Sequence, residues 1–375
     1  MERIIGATFQ LKIMFSTDYK EILKRVEGID PIAYGRSRNF IDGAVTYLSP
    51  YISRGVISTR FVMERTLQRN YKPREILKLL QELAWRDYFQ NVWLALGDKI
   101  NEDVKNEQAG VSNKLMPCSI SEANTGIQAI DEYIRKFYET GYLHNHLRMY
   151  VASLACNLGG SHWKNPARWM YYHLLDGDWA SNALSWQWVA GAFSNKKYYA
   201  NQENINKYCH TSQRDTFLDV SYDKFENMET PHELRKNCMP DLTTDLPPSE
   251  ILNLNPQKPV LIYNYYNLDP LWKKDEDVNR VLLLEPSHFR DYPVAEKNIK
   301  FILELARNIP GIQIFTGEFS QLINQYQLSD VYFKEHPLNR HYKGIQESRE
   351  WMFDVKGYFP SFFKFWKTCE KQLDI

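Results

Sequence analysis

The chain has 375 residues, of which 43% are hydrophobic and 25% charged; this composition excludes a disordered or fibrous protein and predicts about two domains with their own cores. Lysine plus arginine and aspartate plus glutamate each number 46. No global positive field therefore draws the protein to DNA or to an anionic membrane, and any nucleic-acid site has to be a local patch.

Cysteine usage and the start of the chain predict a cytoplasmic protein. No two of the five cysteines form a Cys-x-x-Cys pair, which fits a reducing compartment, and we expect no metal site. Residues 1–15 include Glu2 and Lys12 and have no small-residue cleavage signature. No run reaches the roughly 18 apolar residues that a membrane span requires.

The first half of the chain has the pattern of a helical domain. Pro73 suits the first turn of a helix and Gly97 its end, and the apolar residues between them predict about six helical turns. Ser121 is predicted to cap a second helix that closes at Gly141, and a third helix is expected over residues 144–158.

The second half alternates short apolar runs with an amphipathic stretch, which is typical of a small α/β domain with a parallel sheet. The runs cover residues 260–266, 281–285, 312–316 and 331–334, and the amphipathic stretch covers residues 295–309. The half contains no Gly-x-Gly-x-x-Gly motif and no P-loop. The predicted organisation is a helical domain over residues 1–230, a proline-punctuated linker over 231–258 and an α/β domain over 259–375.

Two predicted helices carry side chains that could take part in chemistry. On the first, Glu82, Trp85 and Arg86 share one face. A solvated ion pair would give the same spacing, but the remaining faces are apolar, which favours an internal cavity. On the third helix Asn145 and Arg148 share a face, although an asparagine near a helix start is also a common cap.

Residues 176–188 form the most informative segment. Asp176 and Asp178 flank a glycine and could bind a metal or cap a helix, and the three tryptophans that follow could be simple core. However, so many indoles and polar side chains in one segment need partners, because an unpaired buried polar group costs free energy. The segment suits a planar heteroaromatic ligand.

A run of hydroxyl-bearing residues precedes the first of these helices. Thr46 and Ser49 lie in residues 44–51, at a predicted boundary between a loop and a helix. Hydroxyls and free backbone N–H groups at such a boundary can hold phosphate oxygens. Serial helix caps explain the same residues equally well.

Taken together, these segments resemble the helical FAD-binding domain of the photolyase and cryptochrome superfamily, over about residues 34–206. The motifs are Leu-Ser-Pro-Tyr at 48–51, Gly-Val-Ile-Ser at 55–58, Glu-Leu-Ala-Trp-Arg at 82–86, Gly-Tyr-Leu-His-Asn-His-Leu-Arg-Met at 141–149, Asp-Gly-Asp at 176–178 and Trp-Gln-Trp at 186–188. The chain looks most like short or atypical bacterial members. Family members usually begin with an α/β antenna domain; here the α/β pattern comes last, which suggests a permuted order and leaves an antenna chromophore open.

The resemblance implies that FAD is held inside the helical domain. Arg148 would pair with Asp176 beside the flavin ring. Asp178 would accept a hydrogen bond from the pyrimidine edge of the ring, and Asn182 would face its N5 atom. The residues that would contact FAD are Tyr34, Thr46, Leu48, Ser49, Arg86, Asn145, Arg148, Asp176, Gly177, Asp178 and Asn182.

The same resemblance implies the activity of a deoxyribodipyrimidine photolyase, a carbon–carbon lyase that acts on UV-damaged DNA by electron transfer from excited reduced flavin. The pocket for a flipped cyclobutane pyrimidine dimer would consist of Glu82, Trp85, Asn145, Met149 and Trp188. Aromatic walls replace the stacking that a flipped base loses, and the carboxyl and amide groups suit its polar edges. Photolyases for the (6-4) lesion carry a histidine pair near this region, so Asn145 favours the cyclobutane dimer.

The resemblance further implies a tryptophan relay to the flavin through Trp186 and Trp163. The aligned third position falls near Gly110, where no tryptophan stands, and Trp169 is a substitute exit unless it is simply a core residue. DNA, including single strands, where unstacking costs less, is expected to meet a basic rim, although a solvated helix face would have the same composition. The rim consists of Arg54, Arg60, Arg65, Arg69, Lys72, Arg74 and Lys78.

Two other classes of function stay open. A cryptochrome-like blue-light photoreceptor would bind flavin without repairing DNA, and the neutral net charge and the unusual position of the α/β part favour it. A light-independent flavoprotein would share the fold without needing Glu82 or Trp188. The sequence leaves the oligomeric state open.

Overall fold

The computed structural model describes residues 15–373, and the chain is mainly helical up to about residue 210. The helices of this part are α1 (Tyr19–Glu27), α2 (Pro31–Ser37), α3 (Ser49–Ser53), α4 (Thr59–Leu67), α5 (Pro73–Leu96), α6 (Cys118–Ser121), α7 (Gln128–Thr140), α8 (Asn145–Ser153), α9 (Lys164–His173), α10 (Trp179–Ala190) and α11 (Gln202–Cys209). A π-helical turn, Leu154–Leu158, extends α8, so the third predicted helix is confirmed to within a residue.

Helix α5 confirms the prediction for the long helix. The Glu75 carboxylate accepts the backbone N–H of Lys72 at 2.8 Å, and Pro73 has no N–H that would need a partner in the first turn. Gly97 ends the helix with φ 57°, and its N–H donates to the carbonyl of Trp93. Glycine adopts a positive φ without steric cost, which explains its place here.

The second predicted helix begins later than the sequence indicated, and the predicted cap at Ser121 is wrong. Ser121 ends the single-turn α6. The loop after it is folded by the Asp131 carboxylate, which accepts the N–H and the hydroxyl of Thr125, both at 2.7 Å, and the N–H of Gly126 at 3.1 Å. The Asp131 carboxylate therefore fixes the loop that leads into α7 rather than capping the helix.

The C-terminal part contains the predicted parallel sheet, with strand order β5-β4-β3-β6-β7. The elements after α11 are β2 (Asn237–Cys238), which pairs with β1 (Met116–Pro117), then β3 (Val260–Tyr263), β4 (Asn279–Leu284), α12 (Pro286–Asp291), α13 (Glu296–Ala306), β5 (Ile312–Thr316), α14 (Phe319–Tyr326), β6 (Val331–Lys334), β7 (Ile345–Glu347) and α15 (Phe362–Cys369). All four residues of β3 are buried, whereas the edge strand β7 is largely exposed. Because β7 is exposed, it has no apolar run, and the sequence did not predict it.

Helix α13 joins the α/β part to the helical part. The Lys297 ammonium donates to the carbonyls of Tyr138 at 2.8 Å and Phe137 at 3.2 Å, near the C-terminal end of α7. The Asn298 amide donates to the carbonyl of Tyr172 on α9 at 2.8 Å. Burial lowers the pKa of Lys297 to about 8, because a desolvated ammonium favours its neutral form. Two helix ends are thus fixed to α13.

A buried arginine makes the second connection. Arg54 is 0% exposed; its guanidinium lies 3.7 Å from the ring centroid of Tyr265, and it donates to the carbonyls of Tyr265, at 3.3 Å, and Gly177. Gly55 has φ 63°, and a Cβ on it would lie 2.5 Å from the carbonyl oxygen of Tyr266, so the close approach requires glycine. The expected place of Arg54 in a DNA-facing rim is therefore wrong.

We expect Arg54→Met to lower the free energy of unfolding by about 2 to 4 kcal/mol, because two buried carbonyls lose a charged donor and the contact with the Tyr265 ring is lost. Urea unfolding followed by circular dichroism measures this. The control is Arg65→Met: this side chain is 45% exposed and lies 3.7 Å from Glu27, so its removal should cost less than about 1 kcal/mol. Equal losses in the two variants would contradict the role of Arg54.

Candidate functional site

An ion pair between α8 and the loop before α10 forms the centre of the site. Arg148 Nη2 lies 3.0 and 2.9 Å from the two carboxylate oxygens of Asp176, and Arg148 Nε donates to the carbonyl of Leu143 at 2.7 Å. Burial of the Asp176 carboxyl opposes its ionisation, but Arg148 and Arg86 outweigh that effect and hold its pKa below the usual value. Asp176 is therefore an anion at neutral pH.

Two serines of α3 extend this centre towards α5. Ser49, the first residue of α3, is one of the groups that lower the pKa of the Asp176 carboxyl. Ser53 Oγ donates to the backbone carbonyl of Asp176 at 2.8 Å and accepts from Arg86 Nη1 at 2.7 Å. Burial lowers the pKa of Arg86, and the nearby carboxylates of Asp176 and Asp178 partly offset that. Hydroxyls, guanidinium groups and carboxylates thus meet in one neighbourhood.

The start of α10 supplies two further predicted residues. Asp178 caps the helix by accepting the N–H of Ser181 at 2.8 Å, and it also accepts from the amide of Gln90 on α5. The Asn182 amide donates to the carbonyl of Ala167 at 2.8 Å. Asp178 and Asn182 are 4% and 8% exposed, so both belong to the interior that α5, α9 and α10 enclose.

Three further residues of the predicted FAD site lie on α2 and just before α3: Tyr34, Thr46 and Leu48. Burial raises the pKa of Tyr34 well above its usual value, and the guanidinium of Arg38 lies 5.9 Å from the Tyr34 ring centroid. Thr46 Oγ1 accepts the backbone N–H of Leu48 at 3.4 Å. Leu48 itself is buried, so it can offer a ligand its backbone and an apolar surface.

Glu82 and Trp85 are neighbours on α5 but have different surroundings. Glu82 accepts ion pairs from Lys78 at 2.9 Å and Arg38 at 3.4 Å. The ring of Trp85 stacks on Phe362 of α15, with the centroids 3.9 Å apart and the planes at 10°. A residue from the far end of the chain therefore covers one face of a predicted pocket residue.

The other residues predicted for the substrate side are accessible. Asn145, the first residue of α8, is exposed, and its amide lies 3.9 Å from the sulfur of Met149. Trp188 on α10 is 41% exposed, and its ring centroid lies 5.9 Å from that of Tyr198. Aromatic and polar side chains on these helices can therefore meet a ligand from solution.

The three tryptophans predicted for electron transfer are all buried. Trp186 Nε1 has no hydrogen-bond partner among residues 15–373. Trp163 donates to Asp103 at 2.7 Å, and its ring centroid lies 6.5 Å from that of Trp179. Trp169 donates to a tyrosine hydroxyl, and its ring contacts include Phe137, Tyr138 and His173.

Three of the seven residues of the predicted basic rim make hydrogen bonds within the protein, which leaves fewer cations for DNA. Besides the buried Arg54, Arg60 donates to the carbonyl of Trp351 at 2.6 Å and Arg69 donates to the carbonyl of Ile29 at 2.5 Å. These three side chains hold the fold together. The members of the rim that are exposed are Arg65, Lys72 and Arg74, and Lys78 is partly exposed.

Sequence reasoning missed two residues of the site. Gln90 binds Asp178, and Tyr142 is a partly buried phenol whose pKa is raised mainly by burial. Gln90 stands four residues after Arg86, so its place on the same helical face was a usable signal. No local pattern indicated Tyr142. Ser53, which follows the hydroxyl-bearing run, was a candidate for holding phosphate oxygens, and the structure shows that it links Asp176 to Arg86.

The comparison that decides the family concerns this helical part. A family model described as the FAD-binding domain of DNA photolyase matches residues 79–218. This part of the chain is an FAD-binding domain of the photolyase and cryptochrome type. The matched residues run from within α5 to beyond α11, and the cofactor of this photolyase-like domain is FAD.

Relatives from both branches of the superfamily match this chain. It is 30% identical to the deoxyribodipyrimidine photo-lyase of Agrobacterium fabrum over 165 residues, 42% of this chain and 34% of the relative. It is also 30% identical to the cryptochrome DASH of Danio rerio over 173 residues, 42% of this chain and 32% of the relative. The match spans about a third of each relative. A Synechocystis cryptochrome structure is 25% identical, with a TM-score of 0.46 over 51% of this chain and 43% of that chain.

The side chains present fit FAD. Its diphosphate requires cations and hydroxyl donors, which Arg86 and Ser49 can provide. Its ring edge requires both donors and acceptors, which Arg148 and Asp176 can provide beside Asp178. Among residues 15–373, no group of three or more His, Cys, Asp and Glu side chains could hold a metal ion, and no helix is long and apolar enough to span a bilayer.

We expect Asp176→Asn to purify largely without FAD, because it leaves the partly buried Arg148 cation without its anion, at a cost of about 3 kcal/mol. The flavin absorbance per mole of protein measures this. Asp42→Asn is the matched control, since Asp42 is an exposed carboxylate paired with His210, and it should keep full flavin content. Full flavin occupancy in Asp176→Asn would contradict the proposed position of the cofactor.

Proposed function

We propose that this protein is a light-driven, FAD-dependent enzyme that splits cyclobutane pyrimidine dimers in DNA. When bound, FAD supplies the light absorption and the single-electron chemistry. The observation that carries the proposal is that α5, α8 and α10, which lie within the FAD-binding region, carry the side chains that a flipped dimer needs. These side chains are Glu82, Trp85, Asn145, Met149 and Trp188.

The surroundings of these side chains support such a role. Trp188 presents an exposed indole that can stack on a flipped base, and stacking of this kind is worth about 1 to 3 kcal/mol per base. The Glu82 carboxylate is held in place by ion pairs with Lys78 and Arg38. A carboxylate is only an acceptor of hydrogen bonds, so Glu82 suits the imide N–H groups of a pyrimidine dimer.

Binding to DNA is proposed to be modest and sensitive to salt. The formal net charge is zero, and the exposed cations near α5 are Arg65, Lys72 and Arg74. Each phosphate contact releases counterions, so affinity falls with salt in proportion to the number of contacts. A small number of contacts favours substrates whose lesion flips at low cost, such as single strands.

A blue-light photoreceptor without repair activity is the second candidate. The neutral net charge favours it, since it weakens the case for DNA as a partner. Repair of a dimer-containing oligothymidine by the reduced, illuminated protein distinguishes the two functions. A protein that binds FAD and is photoreduced but restores no absorbance would favour the photoreceptor.

We expect Glu82→Ala and Trp188→Ala to keep the flavin spectrum and to lower dimer splitting by about ten- to a hundredfold, because each removes a contact of about 1.5 to 3 kcal/mol on the substrate side. The absorbance recovered from dimer-containing oligothymidine under light measures this. The controls are Glu132→Ala and Tyr222→Ala, two exposed residues on α7 and after α11. Wild-type repair rates in both pocket variants would exclude this pocket.

We expect Trp186→Phe to slow photoreduction of the oxidised flavin strongly, since the indole is the proposed inner member of the relay. Trp163→Phe should slow it less completely if Trp169 provides a second exit. Transient absorption in the presence of a thiol reductant measures both, and Trp93→Phe is the control because Trp93 packs on Tyr292 and a histidine instead. Unchanged photoreduction in Trp186→Phe would rule out this relay.

A further inference from the structure

The C-terminal helix α15 is a firmly packed part of the helical core. Phe362, Phe365, Trp366 and Cys369 are each 4% exposed or less. The hydroxyl of Ser361 accepts the backbone N–H of Lys364 and so begins the helix. Because the apolar face of α15 is buried, the helix is stably attached to the rest of the structure.

Two hydrogen bonds hold the segment before α15 against the photolyase-like domain. The Lys105 ammonium donates to the carbonyl of Pro360 at 2.6 Å. The hydroxyl of Tyr88 on α5 donates to the carbonyl of Phe359 at 3.2 Å. The start of α15 is thereby fixed beside α5, one turn from Trp85.

Three rings determine how Trp85 is oriented. Phe362 stacks on it, the Phe89 ring is tilted at a centroid distance of 5.2 Å, and the Tyr88 ring meets it edge-on at 5.7 Å. Trp85 is nevertheless only partly buried. Because the indole already packs against Phe362 on one face, it loses little rotational freedom when a base stacks on its accessible part. A side chain that is ordered before binding costs less entropy, so the ligand binds more tightly.

From this arrangement we propose that Phe362 is a positioning residue for the substrate pocket: the C-terminal helix completes a pocket whose other walls come from the photolyase-like domain. The proposal rests on the proposed function, because it takes Trp85 as a wall for the flipped dimer. Phe362 does not touch the substrate. It fixes the plane of the Trp85 ring and leaves only the remaining face and edge for a pyrimidine.

The test compares Phe362→Leu, Phe362→Tyr and Phe363→Leu in the FAD-loaded protein with dimer-containing oligothymidine. Phe363 is the matched control, since it is the next residue of the same helix and is 71% exposed. We expect Phe362→Leu to raise KM about two- to tenfold, the range for a lost aromatic pair, with kcat and flavin content unchanged. Phe362→Tyr keeps a ring on Trp85 and should restore the wild-type KM, and Phe363→Leu should match the wild type.

Each other outcome counts against the proposal. A wild-type KM in Phe362→Leu overturns it while leaving the repair function intact, and so does a lower KM, which would make Phe362 a plug that the substrate displaces. A fall of kcat and flavin content together, or no rescue by Phe362→Tyr, would reduce Phe362 to a core residue. A wild-type protein that binds FAD but neither binds nor splits dimers overturns the repair function, and this inference with it.

Discussion

The buried guanidinium of Arg54 is the interaction on which the arrangement of the site depends. A cation removed from water needs partners, and it finds them in the carbonyl of Gly177 and in the carbonyl and ring of Tyr265. Gly177 separates Asp176 from Asp178, so the same contact that joins α3 to the end of β3 also fixes the backbone between the two carboxylates. Arg54 therefore connects the backbone between these two carboxylates directly to the end of a central strand of the parallel sheet.

The C-terminal part also contributes to the neighbourhood of the flavin domain through aromatic contacts. The hydroxyls of Tyr171 and Tyr266 lie 2.6 Å apart, and the ring of Tyr292 meets that of Trp179 at a centroid distance of 5.7 Å. Together with Lys297 and Phe362, these contacts run along several faces of the helical part. The α/β part thus packs closely against the photolyase-like domain. The predicted domain boundaries at residues 230 and 258 stay a proposal.

Local signals explain what the sequence could predict. Pro73, Gly97 and the apolar periodicity between them define α5, and the buried runs define four strands, since both patterns depend on near neighbours. The ordered motifs around Arg148 and Asp176 pointed to the site for the same reason. The predicted cap at Ser121 is wrong because the preference of serine for helix starts does not reveal that the Asp131 carboxylate folds the following residues into a loop. The burial of Arg54 and the partner of Trp85 depend on residues more than 100 positions away, which no local pattern encodes.

Contacts of that length have a consequence for synthesis in the cell. The hydroxyl of Tyr88 binds a carbonyl 271 residues further along the chain, and ribosomes add about 5 to 20 residues per second. The apolar face of α5 that α15 covers is therefore exposed for roughly 14 to 54 s after it emerges. Exposed apolar surface on a nascent chain promotes aggregation, so this face of α5 is vulnerable to aggregation until α15 has been synthesised.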